Sequence, residues 1–146
     1  MSKKQVWILT AALAVASTGT VFAASEGAPT PPPQAQGAGF PEISIDELKS
    51  AIAAKTVTLI DVNGSDSWKE GHIPGAIDFR ASADKLSTLL PQDKGALVVA
   101  YCGGPQCRAY TAAANAAKQL GYTNVKHLKA GIRGWKAANE ATEKAL

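Results

Sequence analysis

Apolar positions change their period along the chain, and the changes mark out its elements. Ile45, Leu48, Ile52 and Ala53 recur at helical spacing behind a Ser44–Glu47 capping-box pattern, which predicts a helix to about Ala54. Thr56 to Val62 reads as a buried strand with Asp61 at its end, and Asn63 to Gly75, holding Trp68, Glu70, His72 and Pro74, as a long loop. Ala76 to Phe79 is a further short strand, and Ala83 to Leu90 looks helical, with Pro91 ending it. The apolar run Ala96–Ala100 makes a strand reaching Tyr101, and the alanine-rich Ala109–Leu120 segment has strong helix propensity, with Gly121 placed as its C-cap. Asn124 to Leu128 gives another strand, and Gly131 to Ala138 a last helix with Trp135 facing inward. Phe40 to Ile43 is a short edge-type segment, and the tail from Glu140 to Leu146 extends the last helix or frays. Strands alternating with helices imply an α/β fold: a small, mostly parallel sheet covered by helices on both faces.

The N-terminal region does not follow this pattern. Lys3 and Lys4 precede a mostly apolar Val6–Val15 stretch, and Val21-Phe22-Ala23 offers small residues where a signal peptidase reads. Residues 1–23 are therefore expected to be a secretory signal peptide, leaving no stable membrane insertion after cleavage and a periplasmic destination. Residues 24–39, with Pro29, Pro31, Pro32 and Pro33 among Gly, Ala and Gln, read as a disordered linker. Residues 40–146 remain as one compact domain. Losing the two lysines lowers the formal charge from +3 to +1, with 13 basic against 12 acidic residues. A nearly neutral domain without a basic stripe excludes nucleic acid as an expected partner.

Candidate chemistry converges on Tyr101-Cys102-Gly103-Gly104-Pro105-Gln106-Cys107-Arg108. A cysteine stands where a strand ends and a loop leads into a helix, the end of an open α/β sheet at which ligands bind. Loop amides, a helix N-terminus and Arg108 would favour a thiolate, a persulfide or an oxyanion there. Cys102 is the candidate nucleophile, with Gly103, Gly104, Gln106, Cys107 and Arg108 as the candidate binding loop. The two glycines suit a tight turn, since they permit positive φ and close backbone approach. Cys107 is also a candidate resolving thiol, able to attack a persulfide or sulfenic acid on Cys102; a buried, inert Cys107 is the alternative.

Several motifs in one order resemble the rhodanese-like domain family. Leu59-Ile60-Asp61-Val62 leads to Glu70-Gly71-His72-Ile73-Pro74-Gly75-Ala76-Ile77; Val99-Ala100-Tyr101-Cys102 comes next; Gly121-Tyr122-Thr123-Asn124-Val125 and Leu128-Lys129-Ala130-Gly131-Ile132-Arg133-Gly134-Trp135 close the series. The resemblance covers roughly Ile43 to Ala138. It implies a central parallel sheet of about five strands and a cysteine that takes a sulfane sulfur from a donor such as thiosulfate and passes it to a thiophilic acceptor. Expected ligands are then a small sulfur-containing anion and a thiol acceptor, with a periplasmic protein as a further partner, a monomeric state, and no metal or organic cofactor. His72 and His127 are the only histidines for a metal site.

Two departures keep other readings open. Typical sulfurtransferase members have four residues between the cysteine and the equivalent arginine, and here there are five, Gly103 to Cys107. That spacing resembles the related dual-specificity phosphatases and arsenate reductases. A non-catalytic or redox binding module using Cys102 and Cys107 is the alternative of another class. Asn63 stands where many members carry an arginine after Asp-Val. Asp61 and His72 are assigned structural roles, Trp68 and Trp135 packing roles rather than substrate platforms, and Arg133 is read as a solvated helix residue, with a place facing the pocket mouth as the alternative.

Overall fold

The computed structural model describes residues 39–145; the expected signal peptide and linker, apart from Gly39, lie outside them. The chain runs α1 (Ile45–Ala53), β1 (Val57–Asp61), α2 (Ser65–Glu70), β2 (Ile77–Asp78), α3 (Phe79–Ser82), a 3-10 turn (Ala83–Lys85), α4 (Leu86–Leu89), β3 (Leu97–Tyr101), α5 (Tyr110–Gln119), β4 (Val125–Leu128) and α6 (Gly131–Ala137). The expected capping box starts α1. The Ser44 hydroxyl accepts from the Glu47 N–H at 3.2 Å, and the Glu47 carboxylate accepts from the Ser44 N–H at 2.9 Å. These bonds to the ionised form hold the Glu47 carboxyl below its ordinary range.

The four strands lie in the order β2-β1-β3-β4, all parallel, with Asp61 opposite Tyr101 and Tyr101 opposite Leu128. Alternate residues of each strand enter different layers. Leu59, Val99, Tyr101 and Leu128 pack with Leu48 of α1 and Ile132 and Trp135 of α6. Ile60, Val98, Ala100 and Val125 pack instead with Leu86 of α4 and Ala113, Ala114 and Ala117 of α5. The alanine stripe lets α5 approach the central strands closely. Leu48, Ile60 and Val99 are fully buried, each worth about 1.5–3 kcal/mol of transfer free energy. The α/β architecture with helices on both faces is thus as expected, with four strands rather than about five. Glu42 adds one parallel bridge beside His127, which is the place of the edge-type segment.

Four local expectations differ. The Asn63–Gly75 segment contains α2, a helix with no buried residue; lacking an apolar stripe, it left no periodicity to read. The strand expected over Ala76–Phe79 shortens to two residues because Asp78 caps α3, its carboxylate accepting from the N–H groups of Arg80 and Ala81. The helix expected over Ala83–Leu90 is broken into the 3-10 turn and α4. The tail neither prolongs α6 nor frays: Glu143 and His72 exchange backbone hydrogen bonds at 2.9 Å as an antiparallel bridge. No helix among the described residues is long and apolar enough to cross a membrane.

Candidate active site

Cys102 follows β3, the inner strand flanked by β1 and β4, at the C-terminal edge of the sheet. It is 3 % exposed. Beyond it, the N–H of Cys107 donates to the Gly104 carbonyl at 3.0 Å, closing a turn with Pro105 and Gln106 at its exposed corners. Cys102 and Cys107 are joined as a disulfide, with Cα atoms 6.3 Å apart. The Cys102 sulfur also lies 3.2 Å from the Cys107 carbonyl oxygen. In this state the Cys107 sulfur is engaged by Cys102 and is not free to touch a bound anion. Gln106 and Arg108 are exposed, and among the described residues no carboxylate pairs with Arg108.

The loop is held from one side by the start of α6. The N–H of Ile132 donates to the Cys102 carbonyl at 2.9 Å, and that of Arg133 to the Gly103 carbonyl at 3.2 Å. The Arg133 guanidinium adds a third bond, Nε to the same Gly103 oxygen at 3.0 Å. First-turn N–H groups that a helix leaves without internal partners are thereby satisfied. In a trans peptide the C=O and N–H point in opposite directions. Fixing the carbonyls of Cys102 and Gly103 toward α6 therefore turns the N–H groups of Gly103 and Gly104 away from it. Neither N–H has a protein partner among the described residues. Two consecutive donors are thus left over beside the cysteine.

Arg133 corrects its sequence reading: it is exposed, but it braces the loop rather than standing in solvent. The glycines are corrected too. Neither Gly103 nor Gly104 has positive φ; that conformation belongs to Gly131, at φ +62°. A Cβ on Gly131 would strike the Cys102 carbonyl oxygen and lie 2.5 Å from the Gly104 nitrogen. At Gly104 a Cβ would lie 2.9 Å from Arg133 Nη2, the far end of an exposed side chain that can shift aside. Position 103 meets only Asn63 Oδ1, at 3.6 Å. Helical periodicity gave no sign of these contacts, although the Gly131-Ile132-Arg133-Gly134-Trp135 motif contains the residues that make them.

On the opposite side, Asn63 borders the loop. Its backbone N–H and its side-chain amide both donate to Asp61 Oδ1 at 2.7 Å. Asp61, 1 % exposed, also faces the Tyr101 phenol, whose oxygen accepts from the Ile73 N–H at 3.0 Å. Burial, then the Asp61 charge and hydrogen bond, push the Tyr101 hydroxyl far above the ordinary phenol range, so it stays protonated. His72 stacks on Trp68 with centroids 4.0 Å apart, and its Nδ1 pairs with the Trp68 carbonyl at 2.8 Å. The indole N–H groups of Trp68 and Trp135 donate to the carbonyls of Ala76 and Ala141, both at 2.8 Å. These residues anchor and pack, as their sequence readings have it. Among the described residues no three His, Cys, Asp or Glu side chains converge as a metal site would require.

Residues 44–138 match the rhodanese-like domain. The chain belongs to that family. Among curated proteins, this rhodanese-like chain is 36 % identical over 104 residues to an HTH-type transcriptional regulator of Mycobacterium tuberculosis, covering 68 % of this chain and 44 % of the regulator. It therefore spans less than half of that relative. It is 30 % identical over 106 residues to the thiosulfate sulfurtransferase GlpE of Shewanella oneidensis, covering 68 % of this chain and 96 % of that protein. Among solved structures, the Alr3790 protein from Anabaena shares 27 % identity at a TM-score of 0.59, covering 71 % of this chain and 81 % of that one. The rhodanese-like domain thus has among its relatives of modest identity a thiosulfate sulfurtransferase.

Proposed function

We propose that the protein is an exported sulfurtransferase in which Cys102 takes a sulfane sulfur from thiosulfate and hands it to a thiophilic acceptor. One observation carries the reading: Cys102 ends an inner strand of a rhodanese-like sheet, beside two consecutive N–H groups that α6 turns away from itself. In the reduced protein the Cys102 thiolate attacks the outer sulfur of thiosulfate. The S–S bond breaks, sulfite leaves with the electron pair, and a persulfide remains on Cys102. The free N–H groups of Gly103 and Gly104 would stabilise the terminal sulfur, and Arg108 at the rim would favour anionic donors. The likeness to a thiosulfate sulfurtransferase over nearly that protein's whole length supports the donor. Export rests on the sequence of residues 1–23 alone.

The Cys-x5-Arg spacing favours a second reading, a phosphatase or arsenate reductase. A tetrahedral oxyanion needs several inward amides, however. Pro105 has none, and that of Cys107 is spent on Gly104. The test is intact mass of the reduced mature protein with thiosulfate, then cyanide. A gain of about 32 Da that cyanide removes and Cys102→Ser abolishes is expected. Aryl-phosphate turnover lost in Cys102→Ser, with no mass gain, would overturn sulfur transfer in favour of the second reading.

A further inference from the structure

We infer that Cys107 is a resolving thiol that turns the sulfur carrier into a sulfide-releasing reductase. This rests on the sulfur-transfer reading and deepens it by naming the fate of the bound sulfur. Two observations carry it. The Cα atoms of Cys102 and Cys107, 6.3 Å apart, fall within the range that a disulfide spans, and the two sulfurs are joined. Cys102 is nearly buried while Cys107 is partly exposed, so the second thiol lies on the outer side of the first.

The persulfide on Cys102 has two electrophilic sulfurs, and Cys107 is positioned for the inner one. Its thiolate attacks the Cys102 sulfur, the bond to the outer sulfur breaks, and that sulfur leaves with the electron pair as hydrosulfide. A Cys102–Cys107 disulfide remains. Each conversion oxidises two protein thiols and reduces one sulfane sulfur, so atoms and electrons balance. In-line displacement sends the leaving sulfur away from Cys107. The turn that joins Gly104 to Cys107 keeps the attacking group near its target, at an effective concentration of roughly millimolar or more. An external acceptor must compete with that.

Resetting the pair needs a dithiol reductant, and the exposure difference sets its route. The reductant thiolate reaches the Cys107 sulfur first and displaces the Cys102 thiolate; its second thiol then frees Cys107. The implied partner is a dithiol, small or protein-borne, and the net reaction converts thiosulfate and a dithiol to sulfite, sulfide and a disulfide.

The experiment is a single turnover of the full mature protein, reduced, freed of reductant under anaerobic conditions, and given one equivalent of thiosulfate. Wild type is expected to yield one equivalent each of sulfite and sulfide and to end about 2 Da lighter. Once the persulfide has formed, the first-order rate constant for sulfide release should not depend on protein concentration. Cys107→Ser is expected to yield sulfite but no sulfide and to keep a gain of about 32 Da, with Cys107→Ala as a second variant. Wild type that holds the added sulfur and releases no sulfide overturns the inference while leaving sulfur carriage intact. Equal sulfide release from Cys107→Ser overturns it as well. Absence of sulfite from all three proteins overturns the sulfur-transfer reading, and this inference with it.

Discussion

Gly131 is the residue at which backbone strain and active-site geometry meet, and Gly131→Ala separates them when set beside Gly121→Ala. Both glycines have positive φ, +62° and +93°. Placing an L-residue in that region costs roughly 1–2 kcal/mol, partly offset by about 0.4–1 kcal/mol from a less flexible unfolded chain. At Gly121 nothing lies within 4 Å of the added carbon, so that cost is the whole effect. At Gly131 the carbon meets the backbone of Cys102, Gly103 and Gly104, which cannot swing aside as a side chain would. Overpacking of this kind adds about 1–3 kcal/mol. Gly131→Ala is therefore expected to destabilise by roughly 2–4 kcal/mol against about 1 for Gly121→Ala. At about 4–8 °C per kcal/mol for a domain of this size, the two melting temperatures should differ by roughly 5–20 °C. Thermal denaturation followed by circular dichroism gives the numbers. Sulfur loading by intact mass should be slowed in Gly131→Ala and unchanged in Gly121→Ala. Equal melting temperatures and equal loading would refute the claim that α6 sets the loop.

Arg133→Ala removes the Nε bond to the Gly103 carbonyl but keeps the backbone bond to the same oxygen. Because the side chain is exposed, stability should fall by no more than about 0.5–1 kcal/mol, while thiosulfate loading slows by about threefold to tenfold. Arg133→Lys keeps the charge but not the planar fork and should load nearly as slowly as Ala; a wild-type rate in both variants would refute the bracing role. Tyr101 gives a pH prediction. Its hydroxyl is raised far above the ordinary value of 10.0, so above that pH the unfolded chain releases a proton that the native protein keeps. The stability it contributes is fully present below about pH 10 and declines as pH rises further. Tyr101→Phe leaves the Ile73 N–H unpaired and should cost about 1–3 kcal/mol at pH 7. Urea unfolding from pH 8 to 11 should show a shallower alkaline decline in Tyr101→Phe than in wild type, and parallel curves would refute the assignment.

How much of the fold and the site is legible in the sequence depends on what each residue answers to. The helix from Ser44, the two long strands and the alanine helix obey local rules of capping, apolar runs and propensity, and they appear within one or two residues of expectation. The strand–loop–helix placement of Cys102 is legible for the same reason. Local pattern does not carry α2, whose polar surface has no stripe, or the Asp78 cap that ends β2 early. The bracing of the loop is hidden because it joins residues 30 positions apart. Arg133 reads as solvated on its own helix and acquires its contact only when the sheet brings β4 beside β3.

That long-range contact also explains why loop length is a poor guide to chemistry here. Five residues between Cys102 and Arg108 would make a roomier oxyanion ring if every amide turned inward. The sequence and the turn remove two of them, through Pro105 and through the Cys107 N–H bonded to Gly104. Donation from α6 to the carbonyls of Cys102 and Gly103 then aims the amides of Gly103 and Gly104 together, next to the cysteine and away from the helix. A pair of adjacent donors suits a single anionic atom, a thiolate or the end of a persulfide, better than three oxygens spread around a centre. The extra residue goes into a turn that carries Cys107 back to Cys102. The longer loop thus adds a second sulfur to the site instead of enlarging the anion cradle.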